Sequence, residues 1–107
     1  MRREDQIILI VLAKANVGEG AVDGARSAID TMVAASRAEA GCIDYSFTTD
    51  ILDPGTMHIV EKWQDEAALV AHFQTPHMAE FQAAIAALDV TVTEAMKYES
   101  SDGQPLM

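Results

Sequence analysis

The sequence predicts an α+β domain with the element order βαββαβ, and three observations carry that prediction. Four strand-length runs, beginning at Ile7, Cys42, Thr56 and Val90, are apolar or alternate with period two. Between them, residues from about 20 to 39 and from 65 to 88 read as helical, with apolar side chains at helical spacing. Turn and cap chemistry falls at the joints, at Gly41, at Pro54-Gly55 and at Thr75-Pro76.

Strand one, Ile7 to Lys14, is apolar on both faces: Ile7, Leu9 and Val11 point one way and Ile8, Ile10 and Leu12 the other. The first helix, about Gly20 to Glu39, presents Val22, Ala25, Ile29, Met32 and Val33, with Ser36 continuing the stripe. Gly41 stands where a left-handed residue would stop that helix. In strand two, CIDYSFTTD, Ile43, Tyr45 and Phe47 share a face. DPGT makes a turn in which Pro54 presets φ and Gly55 accepts a positive one. TMHIVEKW follows as the other arm of an antiparallel hairpin.

Two helical pieces come next, Asp65 to about Phe73 and Pro76 to about Leu88. Thr75 caps the second and Pro76 suits its first position. Strand four, VTVTEAMKYE, sets Val90, Val92, Met96 and Tyr98 on one side, and a polar tail follows from residue 99. This order is the split βαβ of ferredoxin-like folds. The helices form one layer and cover one face of the sheet. The second apolar face of strand one therefore needs another cover, and the same face of a second copy supplies it, giving a homodimer.

At 107 residues the chain is read as a single domain, residues 1–107, with a core from about 6 to 98. Half of its residues are hydrophobic, and 17 acidic against 7 basic side chains give a net charge of -10. That balance argues against nucleic acid and against anionic membrane surfaces as partners. The lone Cys42 excludes an internal disulfide and fits a reducing compartment. As a small residue opening a strand it reads as buried, with no activating neighbour in the sequence. Zinc-ligand spacing, a glycine-rich phosphate loop and a GxSxG elbow are all lacking. The N-terminal apolar run is at the shortest limit for a leader, and Glu4 and Asp5 interrupt its basic region, so a cytoplasmic protein is expected.

Four residues in EKWQDEAALVAHFQTPHMAEF raise a functional question. Glu61 shares a strand face with Met57, Ile59 and Trp63, and a buried carboxylate is costly unless paired or protonated. His72, at the edge of the helix stripe, is its natural partner; such a pair would hold the imidazole in one tautomer. From these residues alone the pair reads first as a structural bridge between helix and sheet, and second as a reaction site. Trp63 is core or aromatic platform, and His77, in a capping turn, is expected to be exposed. His58, on the opposite strand face, suits either a ligand or a dimer interface. The Tyr45 hydroxyl can reach a cavity from the hairpin.

EAGCIDYSF followed by IVEKWQDEAALVAHFQTPHMAEF resembles the antibiotic biosynthesis monooxygenase domain family. It is most similar to small bacterial quinol monooxygenases, with their E-x-W strand end and A-H-x-x-T-P-H-M helix junction. The likeness covers roughly residues 6 to 98. It implies a ferredoxin-like sandwich that dimerises through its sheets as a dimeric α/β barrel. It also implies oxidation of a small quinol or phenol by O2 without metal, flavin or haem. By motif, His72 would be the base and Glu61 its orienter; Trp63 and Tyr45 would form an aromatic wall, with His77 at the rim. Ile59 stands where the polyketide-tailoring branch has Asn. The haem-degrading branch needs an Asn in strand one and a His within the last helix; the expected strand one, Ile7 to Lys14, has no Asn and there is no His between Phe81 and Leu88, so haem oxygenase activity is not expected. A non-catalytic module that binds a small molecule, or an isomerase of the same fold, fits the same pattern.

Overall fold

The computed structural model describes residues 6–107, so Glu4 and Asp5 lie outside the described residues. The elements are β1 (Ile7–Val17), α1 (Ala21–Arg37), β2 (Cys42–Thr49), β3 (Thr56–Trp63), α2 (Glu66–Phe73), α3 (Pro76–Ala86) and β4 (Val90–Ser101). The four strands form one antiparallel sheet in the order β2-β3-β1-β4. This is the expected ferredoxin-like α+β arrangement, with the second helical region divided at Thr75.

The helices cover the sheet face that carries Leu9, Tyr45 and Trp63. These three pack with Met32 of α1 and Leu69 of α2 in the larger core cluster. A second cluster of Ala15, Val17, Ala21 and Met57 closes the other end. The opposite face is not covered in the same way: Leu12, Met96 and Tyr98 are about half exposed, and Ile10 and Val60 are partly buried.

Two irregularities redirect side chains that strict alternation misassigns. In β4 the register slips between Lys14 and Ala15, so Glu94 faces Lys14 but Val92 faces Ala15. Val90 and Val92 thus turn toward the helices while Met96 and Tyr98 stay on the open face, rather than all four sharing a side. In β2 the shift lies between Cys42 and Asp44, so Cys42 pairs with Trp63 and packs on the core, while Ile43 is left exposed. Strand one also runs on to Val17, because Ala15 and Val17 still have core to bury against.

The turns use different chemistry from that expected. Gly55 does not have positive φ. Asp50 and Asp53 build that hairpin end instead: Asp50 accepts from the Leu52 and Asp53 amides, and Asp53 accepts from the Gly55 amide and the Thr56 hydroxyl. Gly41 is likewise not left-handed, and α1 ends in right-handed geometry at Ala38. The reason for glycine there is space, since a Cβ would collide with Ala68 of α2. Positive φ is needed at Gly20, which opens α1 without a side-chain cap.

Candidate functional site

The α2–α3 junction positions the two imidazoles. Asp65 caps α2 by accepting from the Ala68 amide at 2.8 Å. Thr75 then serves both helices, as its hydroxyl accepts from the Met78 amide and donates to the His72 carbonyl at 2.8 Å. With Pro76 at the start of α3, the chain turns sharply and carries His77 back over His72, ring centroids 6.0 Å apart.

His72 is fully buried. Its ring lies 4.7 Å from Trp63 and 5.2 Å from Tyr45, centroid to centroid. Nδ1–H donates to Glu39 Oε2 at 2.7 Å. In a neutral ring that bond places the lone pair on Nε2, which faces the Tyr45 hydroxyl at 3.4 Å. The same Glu39 oxygen accepts from His77 Nε2 at 2.8 Å. His77 is therefore held at the rim by a carboxylate, with 19% of its side chain exposed, instead of being solvated.

The expected partnership of Glu61 with His72 is thus replaced by two carboxylates with separate tasks. Glu61, on β3, accepts the indole N–H of Trp63 at 2.9 Å, within one strand face. Glu39, in the turn between α1 and β2, takes both imidazoles. Its backbone is pinned on either side, its amide donating to Ser36 and its carbonyl accepting from Cys42. Burial raises the Glu61 pKa, opposed by the Trp63 hydrogen bond and the nearby His72.

Tyr45 and Cys42 feel both carboxylates. The phenol is pushed well above its ordinary range by burial first and then by Glu61, with a Ser36 hydrogen bond acting against this. The Cys42 thiol is also raised, by burial and then by Glu39, Glu61 and Asp44. Both groups stay protonated near neutrality, and Cys42 is not an activated nucleophile.

His58 lies on the open sheet face, apart from this cluster, and pairs with Asp50 at 3.1 Å. It helps line a surface hollow with Leu12, Lys14, Val60, Glu94 and Tyr98. On the helix side an apolar cavity of about 70 Å³ is bounded by Phe47, Met57, Ile59, Phe81, Ile85 and Val92, among others. Phe47 connects it to the ring cluster, with its centroid 5.9 Å from Tyr45 and 5.7 Å from Phe81.

Asn16, beyond the expected end of strand one, does lie on β1. It is exposed and pairs with Thr56 and Thr91 on the face away from the helices. No helix among the described residues is long and apolar enough to cross a membrane.

Glu39 is the residue that reading the sequence missed. It stands in a polar turn among many other acids, and no local pattern separates it from them. The usable signal was indirect: two His flanking a Thr-Pro junction leave ring N–H groups that need an acceptor once buried.

A family model described as "Antibiotic biosynthesis monooxygenase" matches residues 8–84. A Bacillus subtilis protein named "Putative monooxygenase YcnE" is 37% identical over 73 residues, which cover 64% of this chain and 77% of that one. The "Uncharacterized protein sll1783" of Synechocystis is 45% identical over 51 residues, 48% of this chain but only 35% of that protein's length. Among solved structures, one titled as a "putative antibiotic biosynthesis monooxygenase" from Deinococcus radiodurans superposes with a TM-score of 0.83. It covers 92% of this chain and 98% of its own, and at 24% identity the likeness speaks for the fold.

Proposed function

The chain belongs to the antibiotic biosynthesis monooxygenase family, and from that premise we propose that it is a cytoplasmic, cofactor-independent oxygenase of a small quinol or phenol. The observation that carries the reading is the His72 imidazole, buried among Tyr45 and Trp63, tied at Nδ1 to Glu39 and presenting Nε2 as a base. A hydroquinone reduces O2 far more readily as its anion than as the neutral form. The protein then has to supply a base, a dry site and fixed geometry.

In the proposed reaction Nε2 takes a phenolic proton and the anion passes an electron to O2. Recombination bonds oxygen to the ring. Loss of water leaves a hydroxyquinone, so one oxygen atom enters the product and the other departs as water, the substrate supplying all the electrons. Glu39 steadies the imidazolium that forms, and the Trp63 and Tyr45 rings form the wall against the substrate. Glu61 fixes the indole through its N–H.

The Tyr45 phenol now occupies the place the substrate proton would take. The neighbouring apolar cavity, at about 70 Å³, is well below the roughly 150 Å³ that accommodates a benzene ring. Outward movement of α3, none of whose residues is buried, would widen this cavity for a substrate. We also propose that a second copy covers the open face through Ile10, Leu12, Val60, Met96 and Tyr98, as a homodimer.

The test is oxygen uptake with a menadiol-like hydroquinone. His72→Ala is expected to abolish uptake, and Glu39→Gln to lower kcat, with circular dichroism confirming the fold of each. Uptake unchanged in both variants rejects His72 as the base in favour of another such as His58, and thermal stabilisation of the wild type by the quinol without turnover rejects the oxygenase in favour of a binding module.

A further inference from the structure

We propose that Glu39, His72 and His77 form a binding site for a divalent first-row transition ion of the zinc class. Each offers one ligand atom, a carboxylate oxygen and two ring nitrogens, and the three atoms lie within 4.8 Å of one another. Two imidazoles with one carboxylate make a borderline-soft set that suits zinc, cobalt or iron(II) and disfavours calcium and magnesium.

The geometry is near to what an ion requires. Metal–nitrogen and metal–oxygen bonds are about 2.0–2.2 Å, so around a tetrahedral ion two ligand atoms stand about 3.3–3.6 Å apart. The ligand atoms, within 4.8 Å of one another, reach that spacing when the two rings close by about 1–1.5 Å and the Glu39 contacts of 2.7 and 2.8 Å open by about half an ångström or more. The three side chains come from pinned backbone. His72 and His77 sit on either side of the doubly bonded Thr75, and Glu39 is fixed between Ser36 and Cys42.

Exposure is graded in the right sense. His72 is wholly enclosed, whereas Glu39 and His77 are 16% and 19% exposed. An ion thus enters from the rim and keeps water on its open side. Coordination moves the ring proton of His72 from Nδ1 to Nε2, where the Tyr45 oxygen accepts it; a hydrogen-bond partner behind a metal-bound imidazole is the usual arrangement. In that state Nε2 carries a proton and is no longer a base. The ion would then inhibit the proposed oxidation, although its binding does not depend on that reaction.

Cobalt(II) titration of chelator-treated protein tests the site by its visible absorption, independently of turnover. One equivalent per chain is expected, with affinity lower by about tenfold or more in His77→Ala and in Glu39→Gln, and unchanged in His58→Ala. Circular dichroism confirms that the variants are folded. The absence of saturable binding up to millimolar cobalt, or the same curve for wild type and both ligand variants, overturns the proposal. Binding of cobalt by a protein that oxidises no quinol removes the proposed function and leaves this site standing.

Discussion

Trp63→Phe should cost more at neutral pH than in acid, because the indole does two different things. The side chain is fully buried in the main core cluster. Trimming indole to phenyl loses transfer energy and leaves a partial cavity, about 1–2 kcal/mol. It also removes the N–H that Glu61 Oε1 accepts at 2.9 Å. A hydrogen bond to a charged group contributes about 1.5–3 kcal/mol, and Glu61 has no other hydrogen-bond donor among the described residues. With Glu61 ionised, the sum is about 2.5–5 kcal/mol.

The second part depends on the charge of Glu61. Burial raises its folded pKa above the unfolded value, so ionising this group destabilises the fold as pH rises from the unfolded pKa through the folded one. The indole bond lowers that folded pKa; without it the pKa rises further and the penalty above it grows. Below the unfolded carboxyl value of about 4.3 the acid is neutral in both states. The packing loss of about 1–2 kcal/mol and the weaker bond to a neutral acid, about 0.5–1.5 kcal/mol, then remain. Urea unfolding of both proteins at a series of pH values measures the difference. In a Glu61→Gln background, Trp63→Phe should carry a smaller cost that is nearly independent of pH. A cost that stays the same from acid to neutral pH, or that is not reduced by Glu61→Gln, would refute this reasoning.

Gly41→Ala places a methyl group against Ala68 on α2 and should destabilise by about 1–3 kcal/mol in chemical denaturation, as overpacking does; an unchanged midpoint would show that α2 can yield. Thr75→Ala removes the cap of α3 and the bond to the His72 carbonyl. A loss of about 1–2 kcal/mol is expected, and Thr75→Ser should restore most of it. Met96→Asp puts a charge on the open sheet face, where Met96 is half exposed. Light scattering should find the variant monomeric and the wild type dimeric, while a wild-type monomer at high micromolar concentration would remove the dimer proposal.

Much of this was legible because period and cap chemistry are local. The Met57, Ile59, Glu61, Trp63 face and the Thr75-Pro76 junction follow from strand alternation and from the needs of a helix start, and both stand in the structure. The bulges were not legible. Glu94 interrupts the alternation of residues 90–98, but one polar residue in an apolar set does not by itself say that Thr93 must be skipped to match Ala15 with Val92. Gly41 shows a subtler limit: a helix-stopping glycine and a glycine that admits a neighbouring helix look alike until α2 is in place. Glu39 reaches His72 across 33 residues, a distance over which periodicity carries no information.

The two carboxylates also decide which group in the cluster can accept a proton. Glu61 is held by the indole, and burial favours its neutral form. Together Glu39 and Glu61 disfavour a second negative charge nearby, so the Tyr45 phenol and the Cys42 thiol keep their protons. Tyr45 is therefore left as a hydrogen-bond donor toward Nε2. The His72 ring differs from these three, because accepting a proton makes it a cation beside the two acids rather than a further anion. A base in this pocket is thus selected by its sign as much as by its position. Exchanging Glu39 for Gln tests this: the residue keeps its size while the cationic imidazole loses its counter-charge, and any proton transfer through His72 should slow accordingly.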